Sequence, residues 1–121
     1  MVAVVRDCDT KSPLDLAEEI EMMAARARSK GLPMSAMVGG CMTVSSLGHI
    51  GGTGFTPIIN VPEVAILGLG RARVAPAPGL LPGQQIEWRT LLPLSLSYDH
   101  RVLDGADAAR FCRIIATQLD Q

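Results

Sequence analysis

Aromatic residues are scarce in this 121-residue chain, which holds two Phe, one Tyr and one Trp. With only Phe55, Trp88, Tyr98 and Phe111 available, Leu, Ile, Val, Ala and Met must fill any interior, Met adapting to irregular gaps. No excess of either charge exists: 11 Lys and Arg stand against 12 Asp and Glu, a net charge of -1. No basic stripe stands out, so nucleic acid is not expected as a partner. The three cysteines, Cys8, Cys41 and Cys112, are far apart and form no C-x-x-C, which excludes a zinc site and a redox pair and leaves reduced, partly buried thiols as the expectation. No apolar run reaches the ~18 residues of a membrane span, and no N-terminal basic region, apolar core and cleavage site occur together. The expected location is therefore the cytoplasm, with no membrane partner. Internal repeats and low-complexity segments are absent as well.

Two glycine-rich stretches invite a nucleotide reading, and both fail. Four glycines fall between Gly48 and Gly54, but no Gly-Lys-Ser/Thr ending and no strand-to-helix pattern accompany them, so this is no P-loop. Gly68-Leu69-Gly70-Arg71-Ala72-Arg73 departs from G-x-G-x-x-G at its last position and lies within a strand pattern. These glycines signal sharp turns or close backbone approach.

At 48% hydrophobic residues, the chain can build one small domain with a thin stability margin. Val2-Ala3-Val4-Val5 reads as a short buried strand. Ser12 at the N-cap, Pro13 at the first helical position and Asp15 at the third start a helix, and Gly31 can close it. Leu16, Ile20, Met23, Ala24 and Ala27 form its apolar stripe. A short helical turn over Pro33–Met37 leads to a strand at Cys41–Ser45. Val64–Val74 reads as one continuous strand, followed by a hairpin-like connection through Pro76, Pro78, Pro82 and Gly83. The next strand spans about Gln85–Tyr98, with Pro93 marking an edge or bulge. The last helix runs from Gly105 to about Leu119, with Ala108, Phe111, Cys112, Ile115 and Leu119 on one stripe. The fold class that follows is a layered α/β (α+β) sandwich, a mixed sheet packed by amphipathic helices.

The most informative segment runs from Leu94 to Gly105, LSLSYDHRVLDG. It delivers an imidazole, His100, from a strand into a loop just ahead of a helix start at Asp104-Gly105-Ala106-Asp107. With an ordinary pKa near ~6.5, histidine takes and returns a proton near neutrality without special tuning. The bland alternatives are a surface loop histidine and, for Asp104, an ordinary N-cap. His49, in the glycine-rich loop, reads foremost as a turn or solvent-facing residue. Asp99, His100 and Asp104 are metal-ligand types, yet no metal is expected.

The run Leu91–Phe111, together with Ser45–Asn60 (SSLGHIGGTGFTPIIN) and Pro62–Gly68 (PEVAILG), closely resembles the catalytic domain of the dihydrolipoamide acyltransferases, the core components of 2-oxoacid dehydrogenase complexes. The resemblance covers nearly the whole chain. It implies a chloramphenicol-acetyltransferase-like fold, truncated, with residues 1–121 forming a single domain that is the C-terminal half of the catalytic domain. The lipoyl and peripheral-subunit-binding domains are expected to be absent.

The chemistry implied is transfer of an acyl group, foremost acetyl, between a dihydrolipoyl thiol and coenzyme A. The lipoyl carrier would sit on a domain outside this chain, and no residue is assigned to coenzyme A binding. A thiol with pKa near ~8.5 needs a base, the role implied for His100. The tetrahedral oxyanion needs a fixed donor, worth roughly 3 kcal/mol in comparable sites; the family places a Ser or Thr there, here Ser45. Ser46 stands where many members have Asn. Asp104 matches the acid of H-x-x-x-D-G and would organise the site. The family pattern further implies a homotrimer with the active site between subunits, assembly into larger hollow cores, and the other subunits of the dehydrogenase complex as partners. The chain ends at Gln118-Leu119-Asp120-Gln121 where members carry an apolar tail, which implies weak or absent cage assembly. The alternative is a catalytically silent fragment acting as a structural or oligomerisation module. An antibiotic acetyltransferase of the same fold is disfavoured by the Ser45–Asn60 and Pro62–Gly68 motifs.

Overall fold

The computed structural model describes residues 2–77, 81–83 and 85–120. They form two compact units, Met1–Cys41 and Met42–Gln121.

The first unit is built on α1 (Pro13–Ser29). Its start is the one read from the sequence: Ser12 Oγ accepts the Asp15 N–H and the Asp15 carboxylate accepts the Ser12 N–H, a reciprocal capping box. The Ser12 hydroxyl, which also donates to Asp15 at 2.7 Å, holds the Asp15 carboxyl below its ordinary range. At the far end the Lys30 N–H bonds the Arg26 carbonyl, and Gly31 follows at φ 76°, where a β carbon would be strained. Leu16, Met23, Ala24 and Ala27 are half-buried as expected, whereas Ile20 stays 54% exposed. Glu19 is sheltered in an ion pair with Lys11 at 2.6 Å.

Residues 2–5 are not the strand expected. The segment lacks a neighbouring ladder, and its cross-chain backbone bond runs from the Val4 N–H to the Ala36 carbonyl. Arg6 fastens the same region through the carbonyls of Ser35 and Val38. The turn expected near Pro33 is a 3-10 turn at Met34–Ala36. A second one, Cys8–Thr10, is entered through Asp7 at φ 51°, a left-handed geometry that Asp tolerates better than most residues.

The second unit contains a mixed three-stranded sheet of β1 (Thr43–Ser46), β2 (Ala65–Leu69) and β5 (Leu94–Tyr98), and a two-stranded sheet of β3 (Arg73–Pro76) and β4 (Trp88–Leu91). Strand β2 lies in the middle, parallel to β1 and antiparallel to β5. The buried apolar core is β2 itself, Ala65, Ile66 and Leu67, with Thr43 beside it. Thr43 satisfies its hydroxyl by donating to Glu63 and accepting from Asn60. The last helix, α2 (Gly105–Leu119), packs on β5 through half-buried Ala108, Cys112 and Ile115, while Phe111 and Leu119 remain exposed. The mixed α/β class expected is the one found.

Two expected strands break, and they break opposite each other. The run over 64–74 splits at Gly70, and the run over 85–98 splits at Pro93. The Gly70 N–H donates to the Pro93 carbonyl at 2.9 Å, and a β carbon at position 70 would stand 3.1 Å from the proline ring. Each run leaves one sheet and enters the other at this contact, because proline cannot continue the ladder and glycine lets it approach. The hairpin reading holds in part: β3 and β4 pair antiparallel, with the Ala77 N–H on the Glu87 carbonyl, while Pro78 lies outside the described residues. Cys8 and Cys41 are exposed, against the expectation of partial burial, and Cys112 is half-buried. Cys8 lies in the 3-10 turn Cys8–Thr10 and Cys41 just before β1, where little covers them. Among the described residues no helix is long and apolar enough to cross a membrane.

Gly68 is the tightest point of the sheet: a β carbon there would lie 2.8 Å from Cζ of Phe55. Gly68→Ala is expected to destabilise the protein by about 1–3 kcal/mol through overpacking, and adding Phe55→Leu is expected to return part of that loss. Thermal melts of the single and double variants check this; equal midpoints for wild type and Gly68→Ala would mean the ring yields freely.

Candidate active site

Strand β5 ends at Tyr98, paired with Ala65 of β2. The Asp99 N–H carries the ladder one step further to the Val64 carbonyl at 2.8 Å, and the Asp99 carbonyl then accepts the N–H groups of Val102 and Leu103. These bonds close a tight turn with His100 at its exposed face. The His100 ring lies 5.5 Å from the Tyr98 ring, tilted by 42°. Asp99 Oδ1 accepts the Arg101 backbone N–H at 3.0 Å, and the Arg101 guanidinium grips both carboxylate oxygens at 2.6–3.1 Å. That guanidinium is the main reason the Asp99 carboxyl is lowered to about 2.

Asp104 is the N-cap of α2, its carboxylate accepting the Asp107 N–H at 2.8 Å. Gly105 follows, where a β carbon would crowd the Tyr98 hydroxyl at 3.4 Å. The spacing from His100 to Gly105 thus holds a strand end, a turn and a capped helix against one tyrosine.

Ser45 is elsewhere. It lies in β1, half-buried and paired with Gly68. Gly68 is in turn paired with Ser95 of β5, so Ser45, Gly68 and Ser95 form one row across the sheet. The Phe55 ring sits over Gly68, and the backbone of Gly54 lies over Ser95; the glycine-rich loop therefore covers the face on which Ser45 stands. That loop turns through Leu47, whose carbonyl accepts the N–H groups of Ile50 and Gly51. His49 is exposed at its tip.

Register sets the distance between Ser45 and the histidine. Ser45 is level with Gly68, and Tyr98 with Ala65, on opposite flanks of β2. Two strand spacings across and three residues along place Ser45 and the end of β5 on the order of 14 Å apart. His100 and Asp104 are brought to one junction; Ser45 is not brought to them within the chain. Asp99 is the residue that sequence reading passed over, having weighed it only as a possible metal ligand. The signal was available in the Asp-x-Arg pattern around the histidine. A groove lined by Arg89, Leu91, Leu94, Arg113 and Leu119 occupies the opposite end of β5 and α2 and joins none of these residues. Among the described residues no cluster of three His, Cys, Asp or Glu side chains could hold a metal.

Residues 1–121 match the family described as 2-oxoacid dehydrogenases acyltransferase (catalytic domain). The chain is 57% identical over 113 residues to the dihydrolipoyllysine-residue acetyltransferase component of the pyruvate dehydrogenase complex from Pseudomonas aeruginosa, covering 93% of this chain and 20% of that protein. The Azotobacter vinelandii counterpart is 56% identical, with 93% and 17% covered. A crystallographic study of the roles of a serine, a histidine and an asparagine in the mechanism of the A. vinelandii dihydrolipoamide acetyltransferase provides a matching structure. It has a TM-score of 0.89 and 55% identity over 98% of this chain and 48% of that one. The cubic core of the pyruvate dehydrogenase multienzyme complex matches with a TM-score of 0.85 at 56% identity, with 93% and 45% covered. The chain spans about a fifth of the curated relatives and about half of these solved chains.

The Asp99 carboxyl should titrate at about 2 in a carbon-detected NMR titration, against an ordinary value of 3.8. Because the folded value is depressed, the stabilisation from the Arg101 pair is complete above the ordinary value and lost as pH falls through about 2. In Arg101→Ala the midpoint should return toward the ordinary carboxylate range; a midpoint unmoved by that change would dissociate the two residues.

Proposed function

The chain belongs to the catalytic-domain family of the 2-oxoacid dehydrogenase acyltransferases, and from that premise we propose that it supplies an acetyltransferase site, moving acetyl between coenzyme A and a dihydrolipoyl thiol. Its relatives at 56–57% identity are acetyltransferase components of pyruvate dehydrogenase complexes, which favours acetyl as the group and the other subunits of such a complex as partners. The reading places the reaction in the cytoplasm.

In this reading a ring nitrogen of His100 takes the proton of the attacking thiol, and the thiolate sulfur bonds to the thioester carbonyl carbon. Negative charge gathers on the carbonyl oxygen, where the Ser45 hydroxyl donates a hydrogen bond. Collapse expels the second sulfur as thiolate, which recovers the proton from the imidazolium. Asp104 holds the helix start that borders the turn. In the A. vinelandii enzyme the histidine and asparagine studied are four positions apart, the spacing of His100 and Asp104. An Asp and an Asn can each accept the same cap bond, so the carboxylate here keeps the architecture and adds a charge.

The observation that carries the reading is the strand register. It sets Ser45 far from His100 in one chain, so a hydrogen-bonded constellation of the two needs a neighbouring subunit. A closed ring of three, each chain offering His100 to one neighbour and Ser45 to the other, meets that demand, and relatives form a cubic core. The second reading, a silent structural module, draws support from the small core of Ala65, Ile66 and Leu67, which leaves the chain dependent on further cover.

The deciding experiment is acetyl transfer from acetyl-coenzyme A to dihydrolipoamide, with His100→Ala alongside. Transfer by wild type and none by the variant is expected; no transfer from a folded wild type would favour the silent module. Ser45→Ala should reduce kcat by about 100- to 1000-fold. Mixing and reassembling equal amounts of His100→Ala and Ser45→Ala chains should return about a quarter of wild-type activity, since random neighbours restore about one site in four when the site is shared. No recovery from the mixture would place both groups in one chain.

A further inference from the structure

We propose that Asp99 is the positioning residue of His100, fixing the imidazole from both sides; this rests on His100 serving as the base. Asp99 precedes the histidine, and its backbone and side-chain polar groups are engaged on both the sheet and the turn. Its N–H ties to Val64, its carbonyl accepts from Val102 and Leu103, and its carboxylate holds the Arg101 backbone N–H and guanidinium. Residues 99 and 101, the covalent neighbours of His100, are therefore bound to each other across it. The Asp99 side chain is 23% exposed and that of Arg101 88%, so the carboxylate is the sheltered member and the guanidinium closes onto it from solvent. With the backbone of the turn fixed, the His100 ring stands beside the Tyr98 ring, 5.5 Å between centroids. No other carboxylate bonds to this turn among the described residues; Asp104 is engaged separately by the Asp107 N–H. Loss of the Asp99 side chain leaves the backbone bonds to Val64, Val102 and Leu103 in place but releases the Arg101 N–H and guanidinium beside His100, loosening that side of the turn while the cap of α2 stays in place.

The test compares Asp99→Ala and Asp99→Asn with wild type, all in the chain's assembled form, by two separate readouts. The first is the NMR cross-peak between the Tyr98 and His100 rings; the second is steady-state acetyl transfer. In Asp99→Ala the cross-peak should vanish and kcat should fall about tenfold to a hundredfold, the cost of a catalytic group displaced by about 1 Å, with KM for coenzyme A unchanged. Asp99→Asn keeps an oxygen for the Arg101 N–H, so it should retain the cross-peak and regain most of kcat. The proposal is overturned if Asp99→Ala keeps the cross-peak and kcat, if Asn is no better than Ala, or if α2 helicity and KM are lost together with kcat. Absence of transfer in wild type counts against the acyltransferase reading alone; the ring cross-peak in Asp99→Ala still decides whether Asp99 positions the histidine.

Discussion

Strand β2 and the residue just before it hold the second unit together. β1 and β5 pair with both edges of β2, and Ala65, Ile66 and Leu67 are buried one after another along it, the continuous apolar run of a strand covered on both faces. Everything chemical hangs from it at a defined level. Gly68 sets the row on which Ser45 stands, and the Val64 carbonyl receives the Asp99 N–H that launches the histidine turn. A slip of one residue in the β2–β5 pairing would turn the side chains of β5 over and detach the turn from Val64. The Asn60–Thr43–Glu63 hydrogen bonds brace the approach to this strand, joining the start of β1 to the residue before Val64.

The parts that could be read from sequence were those governed by local chemistry. The capping box at Ser12 and Asp15, the αL glycine at position 31 and the Asp104 cap are decided within four residues of chain, and all three are found. The breaks in the long strands were not legible in position, because they depend on Gly70 meeting Pro93, residues 23 positions apart in the chain. Pro93 alone signalled an edge or bulge; its partner glycine looked like one more residue of a continuous run. Residues 2–5 have strand composition but no ladder, and composition cannot supply a neighbour. Asp99 was hidden differently. Its role comes from bonds on both sides of His100, and residue type alone suggested only a possible ligand.

The exposed apolar residues gain a role once the site is taken as shared between subunits. Ile50, at 72% exposed, lies in the loop that follows β1, and Val102, at 61%, lies two residues from His100; Val44, at 60%, points to the face of β1 opposite Ser45. Scattered apolar exposure needs no explanation in a monomer. Here Ile50 and Val102 lie in the two segments that carry the halves of one proposed reaction centre. A contact that brings Ser45 of one chain toward His100 of the next therefore removes apolar surface from water at the same place.

Stability and catalysis are then linked through the same surface. A chain whose buried apolar core, among the described residues, is Ala65, Ile66 and Leu67 gains folding free energy from whatever binds its native state, and that gain grows with the concentration of the partner. In the shared site proposed, dilution that separates subunits would undo the meeting of serine with histidine. Asp99 acts on the other side of this linkage. By holding the turn within the chain, it gives each subunit a histidine already in place, so association has only to bring a serine to it and need not also order a loop.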